Sequence, residues 1–272
     1  MIINHNLSAM NTHRQLGVNS GNLSKNVEKL SSGYRINRAA DDAAGLSISE
    51  RMRSQIRGMD QASRNAQDGI SLVQTAEGAL QTVNNMLVRI KELATQASNG
   101  TYDSANDLTR IDEEVKELSK EITNIKTNTK FNGISLLDGS KDIDLQIGIE
   151  AAQTLTLTAA SFDISAVETA VQGYDFTTQA GANGKLQDIE DQINAVSAAR
   201  SYLGANQNRL ENTINNLNIT SENLQSAESR IRDLDMAKEQ MAFTKNNILT
   251  QAAQAMLAQA NQLPQGVLQL LR

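Results

Sequence analysis

One proline in 272 residues leaves this chain almost free of enforced helix breaks. Proline lacks an amide hydrogen and clashes with the preceding helical turn, so it stops or kinks helices; its usual share is about 5%. The single copy, Pro264, lies close to the C-terminal end. Long uninterrupted helices are therefore permitted along nearly the whole length. A round, well-filled globule is disfavoured by the 3% aromatic content, with four Phe, four Tyr and no Trp. Large aromatic side chains usually supply much of such a core.

Apolar residues recur at heptad spacing, the signature of helices packed along a seam. Residues 1–33 carry Leu16, Leu23 and Leu30, with Val27 between the last two, and Gly33 is placed to end the helix. Residues 34–68 are mixed, and helix is expected to resume near Asp41 as an N-cap. Arg51, Arg53 and Arg57 form either a solvated face or a set of partners for acidic residues of a neighbouring element. Residues 69–98 give two rows, Ala76, Val83, Ile90 and Ala97 beside Leu72, Ala79, Met86 and Leu93, closed by Asn99-Gly100. A further helix spans 105–127, with Leu108, Ile111, Val115, Leu118, Ile122 and Ile125 stepping by three and four, before the turn Phe131-Asn132-Gly133.

Over 141–184 the period changes. Ile143, Leu145, Ile147 and Ile149 alternate with polar residues, as do Leu155 and Leu157, which predicts a β-hairpin. From Ser161 to Lys185 the sequence turns polar and ends in Asn183-Gly184, so this stretch reads as a small β element or exposed loop. Helix returns at Leu186, with Leu203, Leu210, Leu217, Leu224 and Ile231 every seven and Ile214 at an alternate position. One helix from Leu186 to Ala260 would be on the order of 110 Å long; stutters near Met236 predict a break there. The fold class expected is mainly α: an elongated coiled-coil rod with the terminal helices paired at one end and the β-hairpin region at the other.

A reactive site is hard to find. The net charge is −6, which provides no bulk basic surface for nucleic acid. No apolar run is long enough to span a membrane, and the start shows no basic or apolar signal region. With no Cys, disulfides, zinc thiolates and thiol nucleophiles are excluded. His5 and His13 are the only histidines. Neither HExxH nor a Gly-rich phosphate loop occurs, and Asp41-Asp42 and Asp112-Glu113-Glu114 lack a paired base. Neither an enzyme nor any cofactor is expected.

The ends carry the functional argument. Before Lys25 the only Lys or Arg is Arg14, and nothing charged lies between Lys245 and Arg272. Ordinary termini are polar and fray into water; these suit burial. A helix apolar over a broad arc needs several neighbours, most economically other copies of the same chain, and association that does not close gives a helical filament. Without those partners the terminal helices should be largely disordered and should order on assembly. An intramolecular bundle, a membrane-surface helix and a signalling coiled coil are the competing readings.

The start Ile3-Asn4-His5-Asn6-Leu7-Ser8-Ala9 and the run Leu30-Ser31-Ser32-Gly33-Tyr34-Arg35-Ile36-Asn37, followed by Ala39-Ala40-Asp41-Asp42-Ala43-Ala44-Gly45-Leu46, resemble the bacterial flagellins. So do Phe131-Asn132-Gly133, Ile248-Leu249 through Ala260-Asn261-Gln262, and Leu270-Leu271-Arg272. The resemblance covers about 1–140 and 186–272. It implies a filament subunit, secreted without a signal peptide, exported unfolded through the flagellar type III apparatus and polymerised under a cap into the extracellular flagellum. The family also contains hook–filament junction proteins. By resemblance, residues 1–44 and 236–272 form the inner core, 45–140 and 186–235 the outer core, and 141–185 a short variable region. Subunit packing falls to Leu7, Leu16, Leu23, Val27, Leu30, Leu249, Ala253, Met256, Ala260 and Leu263. A flagellin-specific export chaperone would hold Leu249, Met256, Leu263, Leu270 and Leu271. Outer-core contacts fall to Arg38, Asp41 and Arg51. A surface for Toll-like receptor 5 falls to Leu87, Arg89, Ile90, Glu92, Leu93 and Glu114. The remaining partners implied are the cap and the hook-associated junction proteins, with no nucleic acid and no membrane.

Overall fold

The computed structural model describes residues 6–103 and 106–270, with side chains to residue 262. The chain is mainly α. Its helices are α1 (Leu7–Ser32), α2 (Ala43–Ala97), α3 (Asp107–Asn128), α4 (Ser165–Gln172), α5 (Gln179–Arg232) and α6 (Met236–Leu270). Two antiparallel hairpins, β1 (Lys130–Phe131) with β2 (Ile134–Ser135) and β3 (Ile143–Gln146) with β4 (Thr154–Leu157), lie between α3 and α4. The break near Met236 falls where expected, between α5 and α6. The chain divides into two compact units, Met1–Ile56 with Glu222–Arg272, and Arg57–Ser221.

The unit of residues 57–221 holds nearly all of the core. On α2 the row Ala76, Val83, Ile90 and Ala97 is buried as expected. The second expected row is only half right. Leu72 and Leu93 are buried, but Ala79 and Met86 are only partly so, and the adjacent row Val73, Leu80, Leu87 and Ala94 is fully enclosed. The apolar arc is wider than a two-row seam because α2 packs into one cluster with residues of α3, α4 and α5. From α3 come Leu108, Ile111, Val115 and Ile122; from α5 come Ile189, Val196 and Leu203 on a seven-residue repeat that Leu210 continues.

Residues 159–176 overturn the expectation of an exposed loop. Phe162 and Phe176 are the largest fully buried side chains of the described residues, and Ile164, Val167, Val171 and Tyr174 join them in the core. Phe162 stacks on Tyr202 with ring centroids 6.4 Å apart, and Tyr174 on Phe176 at 6.0 Å. The segment is pinned by polar groups as well. Asp112, itself buried, accepts the Phe176 N–H at 3.0 Å and pairs with Lys116 at 2.6 Å. Lys126 of α3 pairs with Glu168 of α4 at 2.6 Å. Accordingly α5 begins at Gln179, earlier than the expected Leu186.

The β3–β4 register sets Ile143 against Leu157 and Leu145 against Leu155, so the alternating residues share a face. Two glycines of α2 give this hairpin room: a Cβ on Gly69 would stand 2.5 Å from Leu145, and one on Gly58 would stand 2.7 Å from Ile149. In the β1–β2 turn Asn132 and Gly133 both take positive φ, 49° and 80°, the geometry of a two-residue hairpin loop.

Two measurements test this core. Phe176→Ala should cost about 3–5 kcal/mol, read as a lower urea midpoint for the unit of residues 57–221; an unchanged midpoint would make 159–176 a surface loop after all. The hydrogen bond from Lys126 holds the Glu168 carboxyl below its ordinary value of 4.5. Its stabilisation is complete above that ordinary value and is lost as pH falls through the depressed one. Glu168→Gln should therefore flatten the acid limb of the stability curve while leaving its shape near neutrality unchanged.

Candidate functional site

The terminal helices α1 and α6 pack on each other. They run antiparallel: the Asn6 side-chain amide donates to Ala260 O at 2.7 Å, and Leu234 N–H donates to Gly33 O at 3.0 Å. Asn6 also caps α1 by accepting the Ala9 N–H at 3.1 Å. At the other end Gly33 takes φ 73° and its N–H closes onto Lys29 O, the left-handed cap that glycine adopts without strain.

The inward faces are unusually polar. Along α1 a row of less exposed residues, Ala9, Thr12, Leu16, Asn19, Leu23, Asn26 and Leu30, runs in alternating steps of three and four, with Glu28 and Lys29 also half-buried near its end. Leu16, Leu23 and Leu30 are where the heptad places them, but the interleaved row is Thr12, Asn19 and Asn26. Val27, expected in the seam, is instead 49% exposed. On α6 the inward row is Glu239, Phe243, Asn246, Thr250, Ala253, Leu257 and Ala260. Ala253 and Ala260 are as expected. Leu249 and Met256, assigned to packing between subunits, are 40% and 59% exposed, and Thr250 and Leu257 occupy the row within the pair. The side chains of Leu263 and Leu270, and the whole of Leu271, lie outside the described residues.

The outward faces carry large apolar residues among their polar ones. Leu7, Met10, Val18 and Val27 on α1, and Met236, Met241, Ile248, Leu249 and Met256 on α6, are all exposed. Against them, the only fully buried apolar residues described in this unit are Ile36 and Ala260. Asn26 is buried and its side-chain nitrogen has no partner. A polar residue at a seam position lowers stability and fixes register. Polar residues thus enter the seam while large apolar residues stand outside it.

The loop after α1 clasps the α5–α6 junction. Arg35 N–H donates to Arg232 O at 2.7 Å, and the Arg35 guanidinium donates to Ile231 O at 2.5 Å. The Arg232 guanidinium lies over the Tyr34 ring, 4.7 Å from its centroid. Ile36 plugs the loop, 1% exposed. Arg38 and Asp41, expected to make outer-core contacts, are engaged within the same chain. Arg38 pairs with Glu28 at 2.9 Å. Asp41 accepts the backbone N–H groups of Arg38 and Asn37 at 3.0 and 3.2 Å, and those bonds hold its carboxyl below the usual range. The cap of α2 is Asp42, one residue later than expected, accepting Gly45 N–H at 2.9 Å. Arg51 is exposed.

The candidate receptor surface splits in two. Leu87, Ile90 and Leu93 are enclosed in the core, which closes them to a protein partner. Their seam packing is what heptad spacing allows, and the surface set reduces to Arg89, Glu92 and Glu114. Arg89 bridges Glu114 at 2.9 Å and Glu92 at 3.1 Å, and these bonds, Glu114 foremost, raise its pKa further. No group of His, Asp and Glu that could hold a metal occurs among the described residues, and no described helix is long and apolar enough to cross a membrane.

Two family models match this chain: the bacterial flagellin N-terminal helical region over residues 3–142 and the bacterial flagellin C-terminal helical region over residues 186–271. The chain belongs to the bacterial flagellin family. It is 58% identical over 273 residues to a flagellin of Halalkalibacterium halodurans and 50% identical over 305 residues to one of Bacillus subtilis, each covering all of both chains. A flagellar filament 33 kDa core protein of Treponema phagedenis is 47% identical, also over the full length of both. Among solved structures, Bacillus cereus flagellin aligns with TM-score 0.51 and 34% identity, covering 57% of this chain and 88% of that one. A hook-associated protein from Vibrio parahaemolyticus shares the fold, with TM-score 0.59 at 15% identity, covering 71% of this chain and all of that one. Flagellins are structural proteins, and the two matched regions leave out 143–185, which includes the β3–β4 hairpin and α4.

If Asn26 weakens the α1–α6 pair, Asn26→Leu should raise the thermal midpoint of the α1 and α6 helical signal by several degrees in the unpolymerised subunit. Three residues away on the same face, Leu23→Asn should lower it. A fall with Asn26→Leu would mean that the buried amide makes a stabilising contact.

Proposed function

We propose that the chain is the subunit of a bacterial flagellar filament, held to its neighbours chiefly through the outward apolar rows of α1 and α6. The observation that carries this is the exposure of large apolar side chains on a helix pair whose own seam is partly polar. Exposed apolar residues such as Leu7, Met10, Val18, Ile248, Leu249 and Met256 are costly in water, and the polar residues interleaved in the seam weaken the hold of the two helices on each other. Further copies supply the missing cover, and heterologous contacts that do not close yield a helical polymer. On this reading residues 1–44 and 236–272 line the inside of the tube, 45–140 and 186–235 form the outer core, and 141–185 varies at the surface.

The finer partners follow from the same surfaces. Leu249 and Met256, exposed on the subunit, suit an export chaperone that shields the end of α6 before secretion, together with Leu263, Leu270 and Leu271. Unfolded export is compatible with the absence of Cys, since no disulfide has to be broken or remade. Cap and hook-associated junction proteins meet the polymer at its two ends, and the fold shared with a hook-associated protein supports end-on packing of like against like. Recognition by Toll-like receptor 5 narrows to the exposed cluster Arg89, Glu92 and Glu114. Of the charges expected between outer cores, Arg51 alone keeps that role.

The test is electron microscopy after addition of a kosmotropic salt, which strengthens apolar burial. The full chain should give long uniform filaments; a truncation lacking 1–33 and 246–272 should give none. Met256→Glu should leave the helical content of the subunit unchanged and abolish filaments, since a charge there is harmless in water and costly in an interface. Filaments of normal length from Met256→Glu would remove that row from the interface.

A further inference from the structure

We propose that Asn99 is a site of spontaneous deamidation, selected by the fold from the chain's three Asn-Gly pairs. These pairs are Asn99-Gly100, Asn132-Gly133 and Asn183-Gly184, and each is chemically competent. The glycine amide nitrogen attacks Cγ of the asparagine, the new C–N bond closes a five-membered imide, and the Cγ–Nδ2 bond breaks. The side-chain nitrogen leaves as ammonia with the proton from the glycine amide. Water then opens the ring at either carbonyl, giving aspartate or isoaspartate. No co-reactant but water is needed. Glycine favours the step because it has no Cβ to obstruct attack and its backbone turns freely.

The three pairs differ in what holds their backbone. Asn183 and Gly184 lie inside α5, so cyclisation there first requires a local opening of the helix. Asn132 and Gly133 are clamped between the paired residues Phe131 and Ile134, both at positive φ, and the ladder resists the rotation that ring closure requires. Asn99 and Gly100 lie just beyond the end of α2 at Ala97 and are exposed. The Thr101 N–H donates to Asn99 Oδ1 at 3.4 Å, folding the carboxamide over the Gly100 peptide in an Asx turn. That donor also stabilises the charge that develops on Oδ1 as nitrogen adds to Cγ. The turn matters to the fold: Gln179, the first residue of α5, donates to Ser98 O at 2.9 Å and lies against Gly100. Isoaspartate would lengthen the main chain under that contact, and either product adds a negative charge.

The test is to incubate the folded, unpolymerised full chain at mildly alkaline pH, digest it with trypsin and follow the peptide Glu92–Arg110 by mass spectrometry. A gain of one mass unit localised to Asn99 should accumulate about tenfold or more faster than at Asn183, the difference being the cost of opening the helix. In urea the three sites should converge. Gly100→Ala, whose Cβ would meet only the Gln179 side chain at 3.4 Å, should slow Asn99 in both states and leave the other two unchanged. Asn132 or Asn183 keeping pace with Asn99 in the folded chain would overturn the proposal. So would a native rate at Asn99 far below its rate in urea, because the fold would then be protecting the site.

Discussion

The weak packing of α1 against α6 is the constraint on which the rest depends. Where Asn19, Asn26, Asn246 and Thr250 face inward, the pair loses the apolar burial that usually stabilises an antiparallel coiled coil. Where Leu7, Ile248 and Met256 face outward, it retains an unmet demand for apolar neighbours. A chain built this way has a reason to polymerise and no single-chain way to satisfy it. The clasp of Arg35 and Tyr34 on Ile231 and Arg232 keeps the two helices in register, so the apolar rows are presented in a defined arrangement before any neighbour arrives.

The unit of residues 57–221 is stabilised differently. Its core closes on itself through Leu80, Leu87, Ile90, Phe162 and Phe176. Polar pairs there tie sequence-distant segments together, as Asp112 does for Phe176 and Lys126 for Glu168. The few aromatics of the chain gather here, where one large side chain replaces several small ones. Such a unit needs no neighbour to fold, whereas the terminal pair gains most of its burial from contacts the lone chain lacks. Division of labour of this kind suits a subunit that polymerises.

Much of this was legible in the sequence, and the errors have a common physical origin. Heptad spacing located α1, α2 and α5, and the lack of charge at both ends pointed to assembly. Spacing finds a periodic row but does not say which of two adjacent rows faces inward. On α2 both rows are apolar, so Leu72, Ala79, Met86 and Leu93 looked as good as Val73, Leu80, Leu87 and Ala94, and a broad arc buries most of both. On α6 the apolar spacing picked out Leu249 and Met256 for packing between subunits, and they are exposed on the lone chain, while the row within the pair, Thr250 and Leu257, mixes polar with apolar and carries no clean period. The core role of Phe162, Tyr174 and Phe176 escaped because their spacing fits neither a helix nor a strand. Gly58 and Gly69 mark a close approach to the hairpin, but Gly17, Gly21, Gly78, Gly184 and Gly204 lie inside helices facing open space, so a helical glycine alone did not point to it.

Amide hydrogen exchange, resolved by segment and compared between the unpolymerised subunit and the assembled filament, tests the central claim most directly. Opening free energies span from near zero to the global value within one protein. The account predicts that α1 and α6 exchange quickly in the subunit and become strongly protected in the filament, while residues 57–221 are protected in both. Terminal helices already protected in the subunit to the level of α2 and α5 would contradict it, because the α1–α6 pair would then be complete without its neighbours.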